Sequence, residues 1–195
     1  IVGNTKTNMA SDVKVINFLC SHQAGMENDS VNIIRTKFRN NKYNDCSFIF
    51  NYYTFLNFDQ CQIDSNEVKV FVESRFSQSH IYNSTFADNN CDIVLQCSLN
   101  GNSYSEGTGA TYMNNTMVRN KCKHLIDGYY SNSTYLNNTI VGNVSAECLF
   151  KYFHNPAFIG NLVFGNTYDN LFDGILITDE NISSNVMPTF IRDFD

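Results

Sequence analysis

Apolar residues in this chain come in short bursts of three to five, set between polar corners rich in Asn. The clearest unit is Asn137-Asn138-Thr139-Ile140-Val141-Gly142-Asn143, in which Ile140 is followed three positions later by Asn143. The phrase recurs with changes from Asn83 to Asn89, from Asn114 to Asn120 and from Gly160 to Asn166. Phe38 with Asn41 and Ile63 with Asn66 extend it upstream. Phe18 with Ser21, and Ile182 with Asn185, are weaker flanking copies. The steps from Phe38 to Ile63, Phe86, Met117, Ile140 and Val163 are 25, 23, 31, 23 and 23 residues. A fixed period in this range is the mark of a solenoid or a related repeat array.

Each unit holds two further bursts. One arrives about eight residues after the key apolar position, as in Val68 to Val72, His124 to Ile126 and Cys148 to Phe150. The other leads into the next unit, as in Ser79 to Tyr82, Thr111 to Met113 and Thr134 to Leu136. Bursts this short fit strands, because helices need ten or more residues at a 3.6 period. Three short strands per repeat predict an all-β, right-handed parallel β-helix of about seven or eight coils, in one domain over residues 1–195. Stacked coils place equivalent residues above one another. The expected apolar ladder is Phe38, Ile63, Phe86, Met117, Ile140 and Val163. The expected amide ladder is Asn41, Asn66, Asn89, Asn120, Asn143 and Asn166. One Asn per coil lets its amide bond along the ladder and to corner backbone groups.

Composition agrees with this reading. Charged residues are 16% and apolar residues 43%, so the polarity rests on 29 Asn together with Ser and Thr. Phe, Tyr, Ile, Val and Thr favour strands, and Asn tolerates left-handed corners. The net charge of −6, with Lys and Arg unclustered, argues against nucleic acid as a partner. No apolar run is long enough to predict a membrane-spanning segment. The start Ile1-Val2-Gly3-Asn4 lacks an initiating Met, and both ends look short for caps. The chain is therefore expected to be part of a longer protein, with end-on association or homo-oligomers arising from its open terminal coils.

The repeat resembles the Phe-x-x-Asn repeat of polymorphic outer-membrane proteins and similar right-handed parallel β-helix surface proteins. Asn-rich repeats like it occur in surface proteins of protozoan parasites. The likeness covers about residues 15–185 and is carried by Phe38 with Asn41 and Phe86 with Asn89. The family's companion Gly-Gly-Ala-Ile motif has its nearest approach at Gly107-Thr108-Gly109-Ala110. The resemblance implies an extracellular or cell-surface, adhesin-like protein with no catalytic residues to carry over.

Candidate chemistry is sparse. The step of 31 residues contains an insertion, Leu99 to Gly109. Insertions in a solenoid often lie on its binding face, which makes Asn102, Tyr104 and Glu106 the candidate binding residues. Asp64 and Asp88, in neighbouring corners, are read as solvated corner residues and not as a glycoside-cleaving pair. The four His share no metal-like spacing, and Asp173 with Asp179 and Glu180 reads as an acidic loop, so neither a metal nor a cofactor is expected. Of the seven Cys, Cys91 and Cys122 fall at the same place in adjacent coils. They form either a disulfide or a stack of buried thiols. Seven Asn-x-Ser/Thr sequons begin at Asn28, Asn83, Asn114, Asn132, Asn137, Asn143 and Asn181, and are glycosylation sites if the chain is secreted from a eukaryote.

The resulting expectation is a non-catalytic structural or adhesive surface rod with a protein or glycan partner. A polysaccharide-degrading β-helix lyase or hydrolase, or a viral or phage spike stalk, is the alternative.

Overall fold

The computed structural model describes residues 14–19, 30–98, 110–131, 133–153 and 156–173. They form a parallel β-solenoid with a repeat of about 23 residues, with slightly fewer coils among the described residues than the seven or eight expected of the whole chain. After β1 (Lys14–Leu19), each turn contributes two shorter strands and one long strand. These are β2 (Ser30–Ile34), β3 (Lys37–Arg39) and β4 (Lys42–Tyr52), then β5 (Phe55–Asp59), β6 (Gln62–Asp64) and β7 (Glu67–Arg75). β8 (Gln78–Tyr82), β9 (Thr85–Ala87) and β10 (Asn90–Ser98) follow, then β11 (Thr111–Met113), β12 (Thr116–Val118) and β13 (Lys121–Ser131). The series closes with β14 (Thr134–Leu136), β15 (Thr139–Val141) and β16 (Val144–Phe153), then β17 (Ala157–Ile159), β18 (Leu162–Phe164) and β19 (Asn170–Asp173).

Every third strand pairs with the next, all in parallel, giving one seven-stranded sheet of the long strands and two six-stranded sheets. The apolar ladder is in register as expected: Phe38, Ile63, Phe86, Met117, Ile140 and Val163 face one another through successive pairs. The first five of these side chains are at most 1% exposed. Phe18 does not join this ladder. It lies in β1 opposite Asn51 of the long-strand sheet, so a match to apolar-x-x-polar there was a coincidence of composition. The Ile182 copy lies outside the described residues.

Corners are built from a two-residue device. The first residue takes a left-handed conformation, as at Asn40 (φ 54), Ser65 (φ 55), Asp88 (φ 55), Arg119 (φ 53), Gly142 (φ 64) and Gly165 (φ 62). The residue after it is the ladder Asn, which turns inward. Asn66 Nδ2 donates to Phe38 O at 2.9 Å and to Asn89 Oδ1 at 2.9 Å. The Asn66 oxygen in turn accepts from the backbone N–H of Asn41 at 3.1 Å and from its Nδ2 at 2.9 Å. The same pattern continues through Asn89, Asn120 and Asn143 to Asn166. Each amide thus satisfies the corner groups that the flat sheets leave unpaired.

A second amide ladder stands at the next corner and escaped the sequence reading. Asn115, Asn138 and Asn161 bond to one another at 3.1 and 2.8 Å, with Ser84 and Cys61 in the earlier coils. Its signal was the first Asn pair of the phrase itself, hidden because Ser84 and Cys61 interrupt it.

Candidate functional site

A β-strand alternates its side chains between two faces, and the long strands break that rule at one place. Phe48 with Ile49, Phe71 with Val72, Val94 with Leu95, Leu125 with Ile126, and Leu149 with Phe150 are adjacent pairs that both lie in the core. The strand bends there to turn two neighbours inward. The residues flanking each pair then converge on the outer face of the seven-stranded sheet. One flanking row holds Ser47, Val70, Ile93, His124 and Cys148. The other holds Phe50, Glu73, Gln96, Asp127, Lys151 and Asp173.

The two rows touch. Ser47 Oγ donates to the Glu73 carboxylate, and Arg75 Nη2 lies 2.5 Å from Glu73 Oε1. The Arg75 guanidinium also sits 5.7 Å from the Phe50 ring centre, a cation–π distance. Three coils further on, Lys151 Nζ approaches His124 Nε2 at 3.1 Å, and Glu147 Oε2 is 3.3 Å from the same nitrogen. Cys148 Sγ lies 3.3 Å from His124 Nδ1. These recessed polar groups are nearly covered: Glu73 is 2% exposed, His124 5% and Asp127 7%.

Cysteine, histidine and glutamate in line resemble a nucleophile and its base, but the environment opposes that chemistry. Burial, together with the nearby Asp173 carboxylate, pushes the Cys148 thiol up to about 11. His124 is lowered, first by burial and then by Lys151. A protonated thiol beside a neutral imidazole is not an activated nucleophile. Asp127 is different. Burial pushes its carboxyl up to about 6, against the downward pull of Lys151, a Tyr129 backbone N–H and the Gln96 side chain. Its Oδ1 has no hydrogen-bond partner among the described residues.

The sequence-derived candidates fare unevenly. Asn102, Tyr104 and Glu106 lie outside the described residues, as do Asn28, Asn132 and Asn181. The insertion departs after Ser98 and returns at Ala110, both buried. Asn83, Asn114 and Asn137 are exposed left-handed corner residues (φ 49, 56 and 52). Coil geometry therefore accounts for these sequons: a left-handed Asn, an inward ladder residue, then the first Thr of a strand. Asn143, the fourth described sequon, is placed differently. It is 0% exposed and its amide is committed to Met117 O and Asn166 Oδ1.

Asp64 and Asp88 do not share a row, since Asp64 pairs in register with Ala87. Asp64 meets Arg39 at 2.6 Å and Asp88 meets Arg119 at 2.7 Å, so both serve in ion pairs between coils. Asp64, at 6% exposed, is buried and not solvated. Cys91 and Cys122 are both buried free thiols on neighbouring strands, and burial pushes Cys122 up to about 12. Among the described residues no three His, Cys, Asp or Glu side chains are grouped to hold a metal ion, and no helix is long and apolar enough to cross a membrane.

The sequence reading missed Asp127, Lys151 and Glu147 as a group and dismissed His124. A register shift between Cys122 and His124 puts His124 opposite Cys148, so period counting alone misaligns the row. Such bulges re-aim side chains at one point of a ladder. Comparison with protein families, with curated proteins and with solved structures returns no match.

Proposed function

We propose that the chain is a structural or adhesive rod, displayed outside the cell or on its surface, that presents its outer faces and loops to a glycan or protein partner. One observation carries this reading. The interior repeats the same ladders coil after coil, while the outer face of the seven-stranded sheet changes residue by residue. Repetition builds a stiff support; variation on the outside is where recognition is placed. The resemblance of the repeat to polymorphic outer-membrane and protozoan surface proteins points the same way.

The test is saturable binding of the purified chain to intact cells or extracellular matrix, without loss of substrate. Failure to bind any such surface sinks the reading. A stable trimer in light scattering would instead favour a spike stalk. Intact mass adds a second check on compartment: glycan is expected on Asn83, Asn114 or Asn137, and a bare mass with all thiols free would count against display outside a eukaryotic cell.

A polysaccharide-degrading reading rests on one specific observation. Asp127 and Asp173 occupy the same outward row with Lys151 between them. Two strand spacings make that about 9.6 Å between their backbones, near the carboxylate separation of about 6.5–9.5 Å used by inverting glycosidases. Release of reducing ends would establish it over the adhesive reading.

A further inference from the structure

The recess on the seven-stranded sheet holds a carboxyl and an amine that coil building does not require. Asp127 and Lys151 stand directly opposite each other on the neighbouring strands β13 and β16. Their backbones are about 4.8 Å apart, a gap that the stem of a lysine is long enough to cross. We propose that Lys151 Nζ and the Asp127 carboxyl condense to an isopeptide bond, which ties the coil of β13 to the coil of β16. The inference goes beyond the adhesive reading and does not depend on it.

The recess supplies an electrophile, a nucleophile and a base. Asp127 is 7% exposed, and burial pushes its carboxyl up to about 6. The protonated acid, the form an amine attacks, is therefore present near neutral pH. The carboxyl accepts from the Tyr129 backbone N–H and from the Gln96 side chain, while its Oδ1 has no partner among the described residues. The oxygen held by these donors is placed to carry the charge of a tetrahedral intermediate, and Oδ1 is placed to leave. Lys151 Nζ lies 3.1 Å from His124 Nε2. Burial and the Lys151 charge hold that imidazole below its usual range, so it is neutral and takes the ammonium proton. Glu147 Oε2 is 3.3 Å from the same nitrogen and reaches solvent, which gives the proton a way out. The neutral Nζ then turns from His124 to Asp127 Cγ. The C–N bond forms, the bond to Oδ1 breaks, and Oδ1 departs as water with its own proton and one from Nζ. An ammonium and a carboxylic acid thus give one amide, one water and one proton. Holding the two groups side by side supplies the effective concentration that condensation in water otherwise lacks.

Newly folded chain holds Asp127 as a carboxyl, and the linked form accumulates from it. The full 195-residue chain, produced in bacteria, is followed by intact mass and peptide mapping as it ages. Loss of one water is expected, with a branched peptide that joins the segments of Asp127 and Lys151. Asp127 precedes Gly128, so water can also be lost by ring closure onto the Gly128 nitrogen. That product gives only linear peptides and is opened by hydroxylamine, which leaves an isopeptide bond intact. Lys151→Arg keeps the charge and should keep the full mass, with circular dichroism showing that it folds. His124→Gln should slow the accumulation about a hundredfold. The linked chain should outlast the unlinked chain in denaturant, because the tie constrains the unfolded state as other cross-links do. A parent chain that ages at full mass overturns the proposal. So does loss of water that persists in Lys151→Arg, or a map of linear peptides alone. An unchanged rate in His124→Gln overturns the proton-transfer step.

Discussion

The amide ladder and the recessed outer row run side by side along the same coils, yet they obey opposite rules. In the ladder, Asn66, Asn89, Asn120 and Asn143 make the same bonds at nearly the same lengths in every turn. In the row, aromatic, carboxylate, amide and ammonium groups succeed one another. The ladder shows what a coil needs in order to stack: two donors and one accepting oxygen, aimed inward at each corner. The row shows what a coil is free to vary once stacking is secured. Uniformity marks structure here, and departure from it marks the place to look for function.

The comparison breaks most sharply at Asn120. Asn120→Ala removes the acceptor of the Asn89 backbone N–H and of its side-chain amide, and the donor to Phe86 O. Asn143 Oδ1 also loses the Asn120 amide but keeps the Asn120 backbone N–H, and the other three groups lose partners at about 1–3 kcal/mol each. A loss of about 4 kcal/mol is expected in denaturant unfolding, and a change under 1 kcal/mol would show that the ladder is dispensable.

Asp127→Asn should act in the other direction. The carboxyl rises from 3.8 to about 6 on folding, so the folded state holds its proton between those values and the unfolded state does not. Its favourable contribution is complete below about pH 3.8 and is lost as pH climbs through about 6. The variant should match the parent near pH 4 and exceed it by about 2 kcal/mol at pH 7, after allowance for solvent screening. A gap that does not grow with pH would contradict the burial described for Asp127.

Smaller effects sharpen the contrast. Gly142 has φ 64, and an added Cβ there would meet nothing closer than Arg119 Cγ at 3.8 Å. Gly142→Ala therefore costs only left-handed strain, about 1 kcal/mol. The Asp88–Arg119 pair on the surface should matter least. Asp88→Asn is expected to shift stability by no more than about 0.5 kcal/mol, and the shift should vanish in high salt.

The left-handed corners also explain why identical residues meet different fates. Asn114 and Asn115 are neighbours in sequence, but Asn114 is exposed at φ 56 and Asn115 is 1% exposed in the second ladder. Nothing in the residue type separates them. Their place in the corner does, since one residue must turn the chain and the next must serve its unpaired backbone.

The sequence by itself determined the period, the three strands per turn, and the partners of Phe38 and Asn41 in every later coil. It could do so because stacking repeats one local rule, so a match in spacing is a match in space. Only the tertiary structure decided the outer row. The bend that turns Phe71 and Val72 inward together, and the shift that sets His124 against Cys148, are one-residue departures from the period. They bring Ser47 to Glu73, and His124 to Lys151, across more than twenty residues of chain. A convergence of that kind depends on where two faces of a bent strand meet, and no spacing along the chain records it.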